Sequence, residues 1–163
     1  MFSITVKQGD ILSRPCDLLV LKHADGFFGV DAHVASHIGF SGSVPQGRVR
    51  VLPGRGTDAR HIAFIGVGPL VEFGYSGIRK FGKDVIDVAH KRASGIRRIC
   101  MPIHGPGYGL DEAEAFSSLI AGLVDGAGVH EISSKIDEVE IVEINSGRAK
   151  RCAAILRTLL HHG

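Results

Sequence analysis

Gly105, Gly107 and Gly109 alternate with Pro106 and Tyr108 in the run MPIHGPGYGLDEAEAF, residues 101–116, just ahead of Asp111. Glycines so spaced leave main-chain N–H groups uncovered, and a helix opening at Asp111 adds unpaired donors and the positive end of its dipole. A phosphate or diphosphate suits that chemistry. Two more glycine-rich connections, DGFFGVD at 25–31 and GVGPLVEFGYSG at 66–77, have the same place between an apolar run and a periodic segment. Three such loops on one rim would form a cleft, although each alone also suits an ordinary strand-to-helix turn. None is followed by Gly-Lys-Ser/Thr and none fits GxGxxG, which argues against a Walker loop and against Rossmann-type dinucleotide binding.

Other reactive side chains are scattered around these loops. Asp10 lies in the turn-rich GDILSRP, where it either reads a base or caps its own turn. His33 and His37 have the i, i+4 spacing of two metal ligands, but HExxH is absent and no third ligand is near. A polar helix face is the favoured reading, and no metal is expected. His104 can contact a phosphate, although a lone histidine is more often structural. Cys100, inside an apolar run, reads as a small core residue. Tyr108 suits stacking on a ribose and covering the core edge equally well.

The elements that position these residues follow from periodicity. FSITVK alternates Phe2, Ile4 and Val6 and predicts a half-buried edge strand, whereas DLLVL at 17–21 is apolar throughout and predicts an interior one. VDAHVASHIG predicts a short helix ending at Gly39, and RVRVL and HIAFIGVG two strands. Ile78, Phe81, Val85, Val88 and Ala89 mark an amphipathic helix from Ser76 to a stop at Gly95, and IRRICMPI a strand. Asp111 with Glu114 fits an N-terminal cap for a helix buried along Phe116, Leu119, Ile120, Leu123 and Val124. VEIVEI at 139–144 is a strand, and Ala149, Cys152, Ala153, Leu156, Leu159 and Leu160 line one face of a terminal helix. The order predicts an α/β sandwich whose mixed sheet is parallel in its centre, with an antiparallel edge at the N-terminal side. The loop GFSGSVPQG at 39–47 reads as the one flexible excursion.

Composition bounds the partners. The 163 residues suit one domain, 1–163, able to bury a core without disulfides or metal. Three cysteines without a CxxC pair suit a reduced, cytoplasmic protein. Neither a signal peptide nor an apolar run of membrane-spanning length is present. Residues 79–98 hold seven Lys/Arg against two Asp, but no interleaved aromatics, so a solvated helix face is favoured over a nucleic-acid surface.

In this order, ITVKQGDI, CDLLVL, GVDAHVASHIG, IRRICMPIHGPGYGLDEAEAF and VEIVEI together resemble a macro domain along nearly the whole chain. The resemblance implies a three-layer α/β/α fold with a mixed, centrally parallel sheet, binding ADP-ribose or a related nucleotide with no cofactor. It implies Asp10, with Ile11 beside it, at the adenine ring. Gly29, Val30 and Asp31 would support the diphosphate and distal ribose, and Gly105, Gly107, Tyr108 and Gly109 would wrap the phosphates. Hydrolytic macro domains carry an Asn-rich segment after the second strand, where this chain has LKHAD. Neither lysine nor aspartate reproduces the donor and acceptor set of an amide. No catalytic residue is therefore expected, and Lys22 or His23 is placed to fill the distal ribose pocket. The stretch from GFSG to the helix SGIRKFGKDVIDVAHKRASG is also similar to the non-catalytic, macro-like N-terminal domain of leucyl aminopeptidases. HGPGYGLDEAEAF looks like the macro-like modules ahead of CHAT peptidase regions. Those likenesses imply an alternative, a sensor, regulatory or assembly module of a larger bacterial effector. A third, less favoured reading is an ADP-ribosyl hydrolase whose water is oriented by backbone or by Asp25 and His23.

Overall fold

The computed structural model describes residues 2–92, 94–130 and 135–161. Its first half contains β1 (Ser3–Gln8), β2 (Cys16–His23), α1 (Gly29–Ile38), β3 (Val49–Pro53) and β4 (Ala59–Gly66). The second half contains α2 (Tyr75–Lys91), β5 (Arg98–Met101), α3 (Glu112–Val129), β6 (Glu138–Glu143) and α4 (Ser146–His161). One sheet runs β1-β6-β5-β2-β4-β3. Every neighbouring pair is parallel except β3 with β4.

Burial explains why the central strands read as unbroken apolar runs. In β2, Leu18 and Val20 enter one apolar cluster while Leu19 and Leu21 enter another; β4 splits Ala63 and Ile65 from Ile62 and Phe64 in the same way. Both faces of these strands are covered, as parallel strands require. The first cluster takes the apolar stripes of α2, α3 and α4, and the second takes Val34 and Ala35 of α1. The result is three layers, with α1 on one face and three helices on the other. The surplus of glycine partly serves that packing: a Cβ on Gly122 of α3 would sit 1.9 Å from the Arg79 carbonyl oxygen of α2.

Several expectations shift. The antiparallel edge is β3, which returns on β4 through the short link between Pro53 and Ala59, whereas β1 lies parallel to β6 at the opposite edge. A tight hairpin permits antiparallel return, but β1 meets the last strand of the chain, whose direction no local pattern fixes. α2 ends at Lys91, short of Gly95, and β5 is confined to Arg98–Met101. Val124, Leu159 and Leu160 are exposed rather than buried on their helices. The 39–47 loop is anchored in its middle: Val44 is buried, and the Pro45 carbonyl lies so close to Gly66 that a Cβ there would stand 2.0 Å from its oxygen.

Candidate functional site

A cavity of about 420 Å3 opens beyond the carboxyl ends of β2, β5 and β6, where ligands of open α/β sheets sit. Phe28–Asp31 at the start of α1 line one part of it, residues 102–108 after β5 another, and Glu143, Ile144 and Arg148 a third. A smaller hollow of about 90 Å3 at Gly9, Asp10, Ile11, His33 and Val142 shares Val30, Glu143 and Ile144 with it. The two adjoin. Of the nine residues expected at a ligand, Asp10, Ile11, Gly29, Val30, Asp31, Gly105, Gly107 and Tyr108 line the pair of hollows. Gly109 does not; it ends the 3-10 turn Pro106–Tyr108 in a left-handed conformation, φ 91°.

The two polar ends differ in construction. α1 starts without a side-chain cap, and its first amides, at Gly29 and Val30, have no intrahelical acceptor. Those donors and the helix dipole favour an anion beside them. In the facing loop, Gly105 has φ 115°, and a Cβ there would lie 2.7 Å from the Ala115 Cβ, so the fold itself demands glycine. Gly107 is exposed and ordinary in φ, with nothing within 4 Å of an added Cβ. Its bareness serves the opening rather than the packing. Asp10 uses one carboxylate oxygen to accept the Leu12 N–H at 2.9 Å, capping its turn, and stays exposed.

Beneath the cavity lies a buried polar group. Lys22, at the end of β2, donates from Nζ to the Asp31 carboxylate at 2.6 Å, and its backbone N–H donates to the same carboxylate at 3.1 Å. Nζ also lies 3.1 Å from His104 Nδ1. All three residues are buried. Burial pushes the Asp31 carboxyl up, opposed by the Lys22 ammonium. Burial, helped by that ammonium, holds His104 well below its ordinary value, so the ring is neutral. Nδ1 then accepts from the lysine and the ring proton sits on Nε2. The Lys22 ammonium also faces the rings of Tyr108 and Phe73, at 5.7 and 6.0 Å from their centroids. Burial and the nearby Asp31 charge raise the Tyr108 phenol.

At the mouth, Arg148 donates from Nε to Glu112 at 3.0 Å and from Nη1 to Glu143 at 3.3 Å. Glu112 is also held at 2.6 and 2.9 Å by Arg151. Those bonds keep the Glu112 carboxyl low, at about 2.

Other candidates fall elsewhere. His23 lies 3.1 Å from the Val44 carbonyl through Nδ1 and Asp25 is exposed at φ 52°; neither lines the cavity. His37 donates to the Gly56 carbonyl at 2.6 Å, and among the described residues no cluster of three metal-ligating side chains exists. Cys100 is fully buried, and its contacts with Cys16 and burial push its thiol far up, which suits a core residue. The 66–77 connection contributes only Leu70 to the lining. Sequence reasoning missed Glu143, Ile144 and Arg148. The signal available was their place at the carboxyl end of a parallel strand.

No family model matches the chain, and no curated protein matches it. Solved structures do. The Oceanobacillus iheyensis macrodomain with ADP matches with a TM-score of 0.76 at 15% identity, covering 97% of this chain and 92% of that one. A mutant of that macrodomain gives 0.77 at 15% identity, covering 97% and 93%. The Trypanosoma brucei macrodomain in complex with ADP-ribose gives 0.74 at 19% identity, covering 94% and 68%. This chain therefore has a macrodomain-like, three-layer α/β/α fold.

Proposed function

We propose that the joined hollows bind ADP-ribose or a related adenine nucleotide, and that the chain is a binding module without hydrolytic chemistry. One observation carries this: Asp10 at one end, the bare amides of α1 and Gly107 line two adjoining hollows at the carboxyl edge of the sheet. Asp10 keeps one oxygen free to meet a base while the other caps its turn. The diphosphate takes the α1 amides on one side and the glycine loop on the other. The floor supports a reading without turnover. Of the two buried carboxylates that line the cavity, Asp31 is committed to Lys22 and Glu143 accepts from Arg148, and His23 and Asp25 lie outside the lining. The similar macrodomains in complex with ADP-ribose and with ADP support the ligand class.

Calorimetric titration with ADP-ribose and ADP tests the proposal, with Gly107→Trp as its control. The indole would enter open space, so melting should hold within a few degrees while affinity falls about 100-fold, or about 2.7 kcal/mol. Unchanged affinity would remove the loop from the site. The Lys22–Asp31 pair also favours a second reading, a regulatory or assembly module attached to an effector, because the floor is largely occupied by the protein's own charges. Absence of heat and of a thermal shift at millimolar ligand would favour that second reading.

A further inference from the structure

Glu143 is the buried side chain that the two hollows share. Strand order puts it there: β6 lies between β1, whose end leads into the Asp10 turn, and β5, whose end leads into the glycine loop. Glu143 closes β6 opposite Gln8 of β1. Its two oxygens are used unequally. Oε1 accepts from Arg148 Nη1 and from the Asn145 N–H, both at 3.3 Å. Oε2 accepts from no group among the described residues, yet it is not one of the fully enclosed atoms left without a partner. One oxygen is therefore held and the other keeps contact with solvent, at a residue only 8% exposed that borders both hollows.

A carboxylate in that place selects among the parts of a nucleotide. A base in the Asp10 hollow and a diphosphate between the α1 amides and the glycine loop leave the pentose that joins them at the shared boundary. A phosphate there would set its oxyanions against a group that only accepts. A ribose brings hydroxyl protons, which match the open oxygen in a charge-assisted bond. Ile144, 67% exposed, offers apolar surface to the carbon face of the sugar. The bonds from Arg148 and Asn145 fix the carboxylate before a ligand arrives.

We propose that Glu143 is the residue that determines specificity for the sugar: its Oε2 accepts a hydrogen bond from a hydroxyl of the ribose next to the base, so the site prefers ribonucleotides to nucleotides that lack both ribose hydroxyls. The proposal rests on the nucleotide reading above and narrows it. No covalent bond is made or broken. The contact is to the ribose that ADP and ADP-ribose have in common, and it serves both alike.

Calorimetry of the full chain with ADP, ADP-ribose and dideoxy-ADP, which lacks both ribose hydroxyls, tests it in metal-free buffer. Hydrogen bonds to a charged acceptor are among the stronger ones, so ADP should bind at least about tenfold tighter than its dideoxy analogue. Glu143→Met removes both oxygens at similar side-chain length while Arg148 keeps its bond to Glu112, and it should narrow that preference at least about threefold. Glu143→Gln keeps an oxygen for Arg148 and puts an amide donor at the open position; it should narrow the preference in the same direction and decides the matter where the methionine variant does not fold. ADP that binds without the tenfold preference overturns the sugar assignment while leaving the nucleotide site standing, as does a preference that a folded variant leaves unchanged. A chain that binds no ADP overturns the assignment, and one that binds neither ADP nor ADP-ribose overturns the nucleotide reading as well.

Discussion

The floor and the mouth of the cavity are held by the same kind of bond in opposite surroundings. At the floor, the Lys22 and Asp31 side chains are 6% and 3% exposed and meet at 2.6 Å. Beside the mouth, and linked to it through Arg148, Glu112 and Arg151 also meet at 2.6 Å, but their side chains are 22% and 60% exposed. Equal distances do not mean equal energies. Water screens the outer pair, which contributes little to stability, whereas the inner pair has given up its hydration and depends on its partner. The inner pair is therefore a matter of folding, and the outer pair adds little to it.

The sharpest way to break that contrast is to remove one partner at the floor. Asp31→Ala leaves the Lys22 ammonium buried without its carboxylate and should cost about 3–5 kcal/mol in urea unfolding. A loss below about 1 kcal/mol would show that water reaches the pair. Lys22→Met combined with Asp31→Asn should recover most of the loss, since the amide oxygen still accepts the backbone N–H of residue 22. Arg151→Ala beside the mouth should cost less than about 1 kcal/mol.

The glycines repeat the contrast at smaller scale. Gly105→Ala forces a Cβ to within 2.7 Å of the Ala115 Cβ at φ 115° and should lose about 2 kcal/mol of stability. Gly107→Ala should stay within about 0.5 kcal/mol. Equal losses at the two positions would deny that the loop divides into a structural glycine and an open one.

That division also marks how far the sequence could be read. Glycine spacing located the loop, and Asp111 was legible as a cap because the Glu114 N–H it accepts, at 2.9 Å, lies three residues on. The i, i+3, i+4 stripes of α2 were legible for the same reason, since their partners are local. Asp31 was placed at the ligand, but its commitment to Lys22 joins a helix start to a strand end and leaves no periodic trace. Glu143 and Arg148 reach the cavity only because β6 inserts between β1 and β5, a matter of strand order rather than pattern. The direction of β1 was misjudged for the same reason. What the local chain decides could be read; what long-range pairing decides could not.

The smallest effect concerns the mouth and pH. Glu112 sits at about 2 against an ordinary 4.5, held down first by the Arg151 hydrogen bonds and opposed by partial burial. Its folded value lies below its unfolded one, so its contribution is fully present above about pH 4.5 and is lost as pH falls toward 2. Screening at so exposed a pair limits that contribution to about 1 kcal/mol. Glu112→Gln should therefore lower the urea midpoint slightly at pH 6, and the gap from the unsubstituted chain should close by pH 2. A gap that persists at pH 2 would mean that packing, rather than charge, ties the start of α3 to α4. A gap at pH 6 as large as that of Asp31→Ala would erase the distinction between floor and mouth.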